Sequence, residues 1–318
     1  MSSVLDAAVL LGEETTYGTP ASLTRAYEAQ ADTFSRSMTA LESVGFRGGM
    51  HTVRSDRRRM ISQGAAGEIT VDWLDRGMGL FLQAMLGSVS GPTSNEVTLT
   101  TGADASSTSF TIQVLRPTDG GTLTPFTYHG CVPVSWSISQ STGGFLTCGL
   151  TFDAEDEDIT TSAGTPSYPT GAQPFDWTQA TVSIDGTDLG AVSSIELSGD
   201  LGMKTDRYYL KGSALKSQPK RVSAPTYSGS ITTDFTGTSL HSTYTAGTIF
   251  DLQAVWTGDT FTGGTYTVTI DAPACQFDGE TPSASLGDMT SATMPFRILH
   301  DGTNPAVTVT IESDDTAL

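Results

Sequence analysis

The sequence is short of positive charge. Only 16 of its 318 residues are Lys or Arg, against 35 Asp or Glu, a formal net charge of −19. Such a surface repels nucleic acid, because DNA binding normally uses basic side chains to displace counterions. Cysteine is scarce as well. Cys131, Cys148 and Cys275 are an odd number, lie in strand-like surroundings and form no Cys-x-x-Cys pair. They argue against a disulfide framework and read as small buried hydrophobes. No run approaches the roughly 18 apolar residues of a membrane helix. The opening MSSVLDAAVLLGEE carries Asp6 and no leading Lys or Arg, which makes a poor export signal.

Catalytic spacings are missing too. His51, His129, His241 and His300 stand apart from any second metal ligand or catalytic partner and read as solvated or structural. GSVSG (87–91) has Val89 where a nucleophile elbow needs Ser. There is no phosphate loop and no dinucleotide fingerprint. DAEDED (153–158) superficially resembles a calcium loop but lacks its central Gly and distant Glu. The expectation is a protein that is not an enzyme and holds no cofactor and no metal.

What the sequence has is 34 glycines, frequent Ser and Thr, and many short alternating segments. That profile suits strands joined by turns. In GEITVDWLDRG (67–77), Ile69, Val71 and Trp73 share one face and Thr70 and Asp72 the other. A helix then follows through Met78–Leu86, with Asp75 as a reasonable N-cap and Gly87 at the left-handed stop. GSITTDFTGTS (229–239) repeats the Gly, Ile, Thr and Asp of this device and puts Phe235 where Trp73 stands, with Ser239 ready to cap a second short helix. The order strand, long basic loop, strand, short helix, several strands occurs twice. It divides the chain into an N-terminal arm (1–31), a first β domain (32–159), a Gly/Pro/Ser/Thr linker (160–175) and a second β domain (176–318). The expected fold class is mainly β, as two sandwich or barrel domains, each with a short flanking helix, from a tandem duplication.

The scarce bases are clustered. Arg47, Arg54, Arg57, Arg58 and Arg59 fall in one loop, and Lys204, Arg207, Lys211, Lys216, Lys220 and Arg221 in the other. Two readings are open: solvated loops, or contacts between subunits in which a basic loop meets an acidic run such as Asp153, Glu155, Asp156, Glu157 and Asp158. Such pairs fix register and partner choice more than they add affinity.

GEETTYGTP (12–20), together with GEITVDW and RGMGLFLQAMLG, resembles the tail tube proteins of long, flexible-tailed phages, most evidently over residues 10–90. The resemblance implies domains that associate side by side, closing their inner sheets into a continuous barrel, with rings stacked into a tube. It also implies a long loop reaching the adjoining ring, here Arg47–Arg59 and its counterpart Gly202–Lys216. Two domains per chain allow a trimer with pseudo-sixfold symmetry, while six chains per ring with the second half outside remains open. The implied role is a virion tail conduit for genomic DNA, which passes without specific binding along a negatively lined lumen. Asp72 and Asp234 are candidates to line it, and Asp72 alternatively supports the helix start. The implied partners are further copies of the chain and other tail proteins such as the tape measure and terminator. No membrane is involved, and assembly takes place in the bacterial host cytoplasm. The competing expectation is a secreted or virion-displayed β-rich binding module, for carbohydrate among other ligands.

Overall fold

The computed structural model describes residues 4–93, 95–102, 107–279, 281 and 291–316. It is mainly β, with antiparallel pairing throughout its two sheets. The first half runs β1 (Ala8–Glu14), β2 (Arg25–Tyr27), β3 (Ala29–Asp32), β4 (Ser35–Glu42), β5 (Arg58–Asp72), α1 (Gly79–Leu86), β6 (Ser88–Thr93), β7 (Glu96–Thr100), β8 (Ser109–Pro117), β9 (Leu123–Ser141), β10 (Thr147–Ala154) and β11 (Asp156–Asp158). The second half runs β12 (Ala180–Ile184), β13 (Thr187–Asp188), β14 (Val192–Asp200), β15 (Met203–Lys204), β16 (Lys220–Arg221), β17 (Thr226–Asp234), α2 (Ser239–Ala246), β18 (Ile249–Phe261), β19 (Gly264–Phe277), β20 (Ser291–Ile298) and β21 (Thr308–Glu312).

Strand alternation explains the layers. Along β5, Ile69 and Val71 point into the core with Trp73 just beyond, while Glu68, Thr70 and Asp72 stay on the solvent side. The same alternation recurs in β14 and β17, so one inner sheet forms in the order β4–β5–β10–β9–β14–β17–β20. In the first half β2, β1, β8 and the start of β9 pack behind it. In the second half the backing layer is β12, β18, β19, β21, β7 and β6. Long β9 serves both layers: Leu123–Cys131 pairs in the outer sheet and Val132–Ser139 in the inner one.

One hydrophobic cluster spans both halves, from Trp73, Phe81 and Phe152 to Trp256, Phe250 and Phe296. The halves are joined by two strand pairings, β9 with β14 and β7 with β21. The indole nitrogen of Trp256 also donates to Gln140 across the joint. The Gly/Pro-rich segment after β11 lies against the first half: Ala26 N–H donates to the Ser167 carbonyl and Asp75 N–H to that of Gln173.

The helices differ from expectation at their starts. α1 begins at Gly79, and the Asp75 carboxylate accepts from Gln173 N–H and Arg76 instead of capping it. α2 begins at Ser239 after Thr238, without a side-chain cap. Both stop at a left-handed glycine, Gly87 and Gly247, where a residue with a Cβ would be strained. α1 buries six residues, Leu80 and Phe81 among them, whereas α2 buries none.

The halves place equivalent residues in equal register. Gly67 lies opposite Phe152 and Gly229 opposite Phe296; Asp72 lies opposite Thr147 and Asp234 opposite Ser291. A Cβ on Gly229 would lie 2.4 Å from the Phe296 ring, which accounts for the glycine there. A second correspondence escaped sequence inspection: FTIQV (110–114) and FDLQA (250–254). Phe110 pairs with Cys131 and Phe250 with Cys275, each beside a register shift at the same step.

Candidate assembly surfaces

The solvent face of the inner sheet is tiled with small hydroxyls and acids. Ser135, Ser137 and Ser139 of β9 stand beside Thr147 and Thr151 of β10 and beside Glu196, Ser198 and Asp200 of β14. Neighbouring hydroxyls bond to one another: Ser139 with Thr147 at 3.0 Å, Ser198 with Ser228 at 3.1 Å, and Thr232 with Thr293 at 3.2 Å. Asp72 and Asp234 both lie on this face, and Asp72 accepts from Gln30 Nε2 at 2.7 Å. Glu68, Glu196 and Asp200 join them, and these three are exposed. Sequence reading missed them because their face follows only from which strands pair. Arg297 of β20, on the same face, is held by Asp278 at 2.9 Å.

At one end of this sheet the two basic loops behave differently. Residues 43–57 bond within themselves: Ser43 N–H to the Arg57 carbonyl, Met50 N–H to that of Arg47, and Arg54 to Asp56. Arg58 at the base pairs with Glu42, and Arg59 lies opposite Leu41. The hairpin exposes Leu41, Val44, Phe46, Met50 and Val53, and Phe46 is wholly exposed.

The other loop, between β14 and β17, is tied to the first half of its own chain. Gln63 N–H donates to the Ala214 carbonyl, and the Tyr208 hydroxyl to the Gln63 carbonyl at 3.3 Å. The Lys216 ammonium is buried, in contact with the Asp153 carboxylate and 3.1 Å from the Ala65 carbonyl. Lys216 and Asp153, separated by 63 residues, thus meet inside the chain. Lys211 bonds to Ser217, Arg207 to the Gln218 carbonyl, and Lys204 to Asp206. Of the acidic run, Asp156 pairs with Arg36 at 3.2 Å, Glu157 offers its carbonyl to Arg36, and Asp158 accepts from Thr160. Glu155 packs against Gly18 and Gly130.

The GEETTYG segment is anchored by a carboxylate. Glu14 is buried and accepts from the Ser109 and Thr111 hydroxyls and from Gly18 and Gly130 N–H, at 2.7 to 3.0 Å. Gly130 (φ 63°) is where β9 leaves the outer sheet, and a Cβ there would collide with Glu155.

Burial raises the carboxyls of Asp153, Glu155, Asp251, Asp271 and Asp315 above their ordinary values. An acid whose folded pKa lies above its unfolded one stabilises the fold fully below the unfolded pKa, about 4, and loses that contribution as pH rises through the folded value. Hydrogen bonds lower Asp158 (from Thr160) and Asp301 (from Thr303 and Asn304), and their contribution is lost only as pH falls below about 4. Mild acid also relieves self-repulsion in so negative a chain. The melting temperature is therefore expected to be higher at about pH 5.5 than at about pH 7.5. A melting temperature that is lower at about pH 5.5 than at about pH 7.5 in scanning calorimetry would contradict the assignment.

The described residues thus present an extended inner sheet with an open polar face, an edge strand paired on one side and a projecting hairpin. A family model described as "Phage tail tube protein" matches residues 5–298. The chain belongs to the phage tail tube protein family and is a component of the virion tail. No curated protein matches the sequence.

Proposed function

We propose that copies of this chain close into rings by extending the inner sheet from one copy to the next, and that the rings stack into the tube through which genomic DNA leaves. The observation that carries this reading is the in-chain joint. β9 and β14 splice the inner sheets of the two halves into one surface with a single polar, acidic face. Among the described residues β4 pairs only with β5, which leaves its far edge open, and an open edge is a template for another strand. The matched registers support an origin by duplication, with repeats at 32–159 and 176–318 joined by the 160–175 segment; the 1–31 segment, expected as an arm, instead supplies β1 and β2 to the outer layer and β3 to the inner sheet of the first repeat, because its apolar residues Val9, Leu11 and Tyr27 pack in the core. Three chains then provide six repeats. The second half contributes β14, β17 and β20 to the inner sheet, which favours three chains over six with that half outside.

The open face becomes the bore. Its carboxylates repel phosphate, and its hydroxyls are largely satisfied by one another, so passing DNA meets few free donors. Tape measure and terminator proteins are the proposed tail partners, with assembly in the host cytoplasm before release.

Electron microscopy and native mass spectrometry of the purified protein test this reading, with hollow tubes built of three-chain rings as the expected result. Monomers that persist at high concentration would refute it. Replacing Glu196 and Asp200 by Lys is expected to leave tubes intact but make them retain short duplex DNA at low salt and release it as salt rises. Variant tubes that ignore DNA would remove the bore assignment.

A further inference from the structure

Among the described residues the chain carries one free hairpin and one open socket, and they lie at opposite ends of the inner sheet. The hairpin tip joins β4 to β5 at Glu42 and Arg58. Strand β5 then runs fifteen residues, about 45 Å at the usual rise, to Asp72. At the Asp72 end of the inner sheet, under α2, lies a pocket of about 380 Å³. Leu189, Ala191, Leu240 and Met294 form its apolar wall, and Asp188 and Asp234 supply two carboxylates, neither in an ion pair among the described residues. The His241 Nδ1 in the same pocket is buried and has no hydrogen-bond partner among the described residues.

The two halves explain the single copy of each part. In the first half the equivalent ground is filled by α1, whose Phe81 N–H donates to the Tyr27 hydroxyl among fully buried neighbours. In the second half the long loop is tied down by Lys216, so it is not free to project. Its anchoring bond also has no second site. Gln63 supplies the N–H, and the residue four before Gly229, as Gln63 is four before Gly67, is Pro225, which has none.

We propose that the Phe46–Arg47 tip of one copy seats in the α2 socket of a second copy. Phe46, wholly exposed on the free molecule, enters the apolar wall. Arg47, which is in no ion pair among the described residues, meets Asp188 and Asp234. The contact is heterologous, joining the top of one molecule to the bottom of the next, and such contacts propagate as open stacks. The inference rests on the stacked-ring reading and names the receiving surface within it.

The experiment uses the full chain and follows tube length by electron microscopy and light scattering. Phe46→Ser and Arg47→Asp should each shorten tubes about tenfold or more while leaving rings and melting temperature unchanged, since both side chains are exposed and outside the core. Asp188→Arg combined with Arg47→Asp should restore length. Phe46→Cys with Leu240→Cys should give a chain-to-chain disulfide in oxidised tubes and none in isolated rings. Wild-type rings that never stack would overturn the tube reading and this inference with it. Wild-type stacking together with tubes of undiminished length in both tip variants and no cross-link in the cysteine pair would overturn the socket alone.

Discussion

Replacing Lys216 by Met is expected to destabilise the protein by about 3–5 kcal/mol, because it leaves the Asp153 carboxylate buried without its counter-ion. Both side chains are less than a tenth exposed, and the Lys216 ammonium also donates to the Ala65 carbonyl. Burial already holds the Asp153 carboxyl above its ordinary value against the pull of Lys216, so removing the lysine raises it further. The defect should therefore shrink as pH is lowered and the carboxyl takes up its proton. A mere packing loss would not show that pH dependence. Calorimetry at about pH 7.5 should show a drop on the order of 10 °C. The double replacement Lys216→Met with Asp153→Leu should recover most of it, since a buried pair exchanged for apolar residues is often neutral. The single variant should also be nicked faster by protease within 203–221, because Lys216 holds that loop against β5. A Lys216→Met protein that melts like wild type at neutral pH would show that the pair contributes nothing.

That pair shows where sequence reading stops. Lys216 belongs to a run of bases, and a run of bases reads as solvated or as an intermolecular contact, because lysine is seldom buried. Only the fold reveals that its loop crosses the joint and reaches a carboxylate 63 residues back. What depends on local chemistry was legible: the alternation of β5 with Trp73 on its buried face, the three buried thiols, and the glycine stop of α1. The thin apolar content of SLHSTYTA (239–246) fits a helix that buries nothing. Pairing was not legible, because a period of two says which face a residue takes and not which strand lies beside it. Hence Asp72 and Asp234 were singled out while Glu68, Glu196 and Asp200, on the same face, were passed over. The FTIQV and FDLQA pair was missed for a related reason: five residues of ordinary strand composition acquire meaning only through the shared register shift opposite Cys131 and Cys275.

Replacing Glu14 by Ala is expected to cost about 3–5 kcal/mol, and here the cause is four donors losing one acceptor. The carboxylate satisfies two hydroxyls of β8 and two backbone N–H groups, and the Gly130 N–H is buried with it at 2.8 Å. No alanine atom can replace those bonds, and the small cavity left is lined by polar groups. Glu14→Gln keeps the volume but turns an amide N–H₂ toward groups that are themselves donors, so about 1–3 kcal/mol is expected. The damage should be local before it is global, because Glu14 fixes the corner at which β9 changes sheets. Cys131 follows Gly130 directly and is fully buried, with its thiol bonded to the Tyr128 carbonyl at 3.4 Å. In wild-type protein its reaction with a thiol reagent should wait on unfolding; in Glu14→Ala it should run well ahead of unfolding, while Cys275, at the matching corner of β19, keeps the wild-type rate. Equal acceleration at both cysteines would mean that the substitution loosens the whole molecule. No acceleration at either would mean that the corner is held by its strand pairings alone.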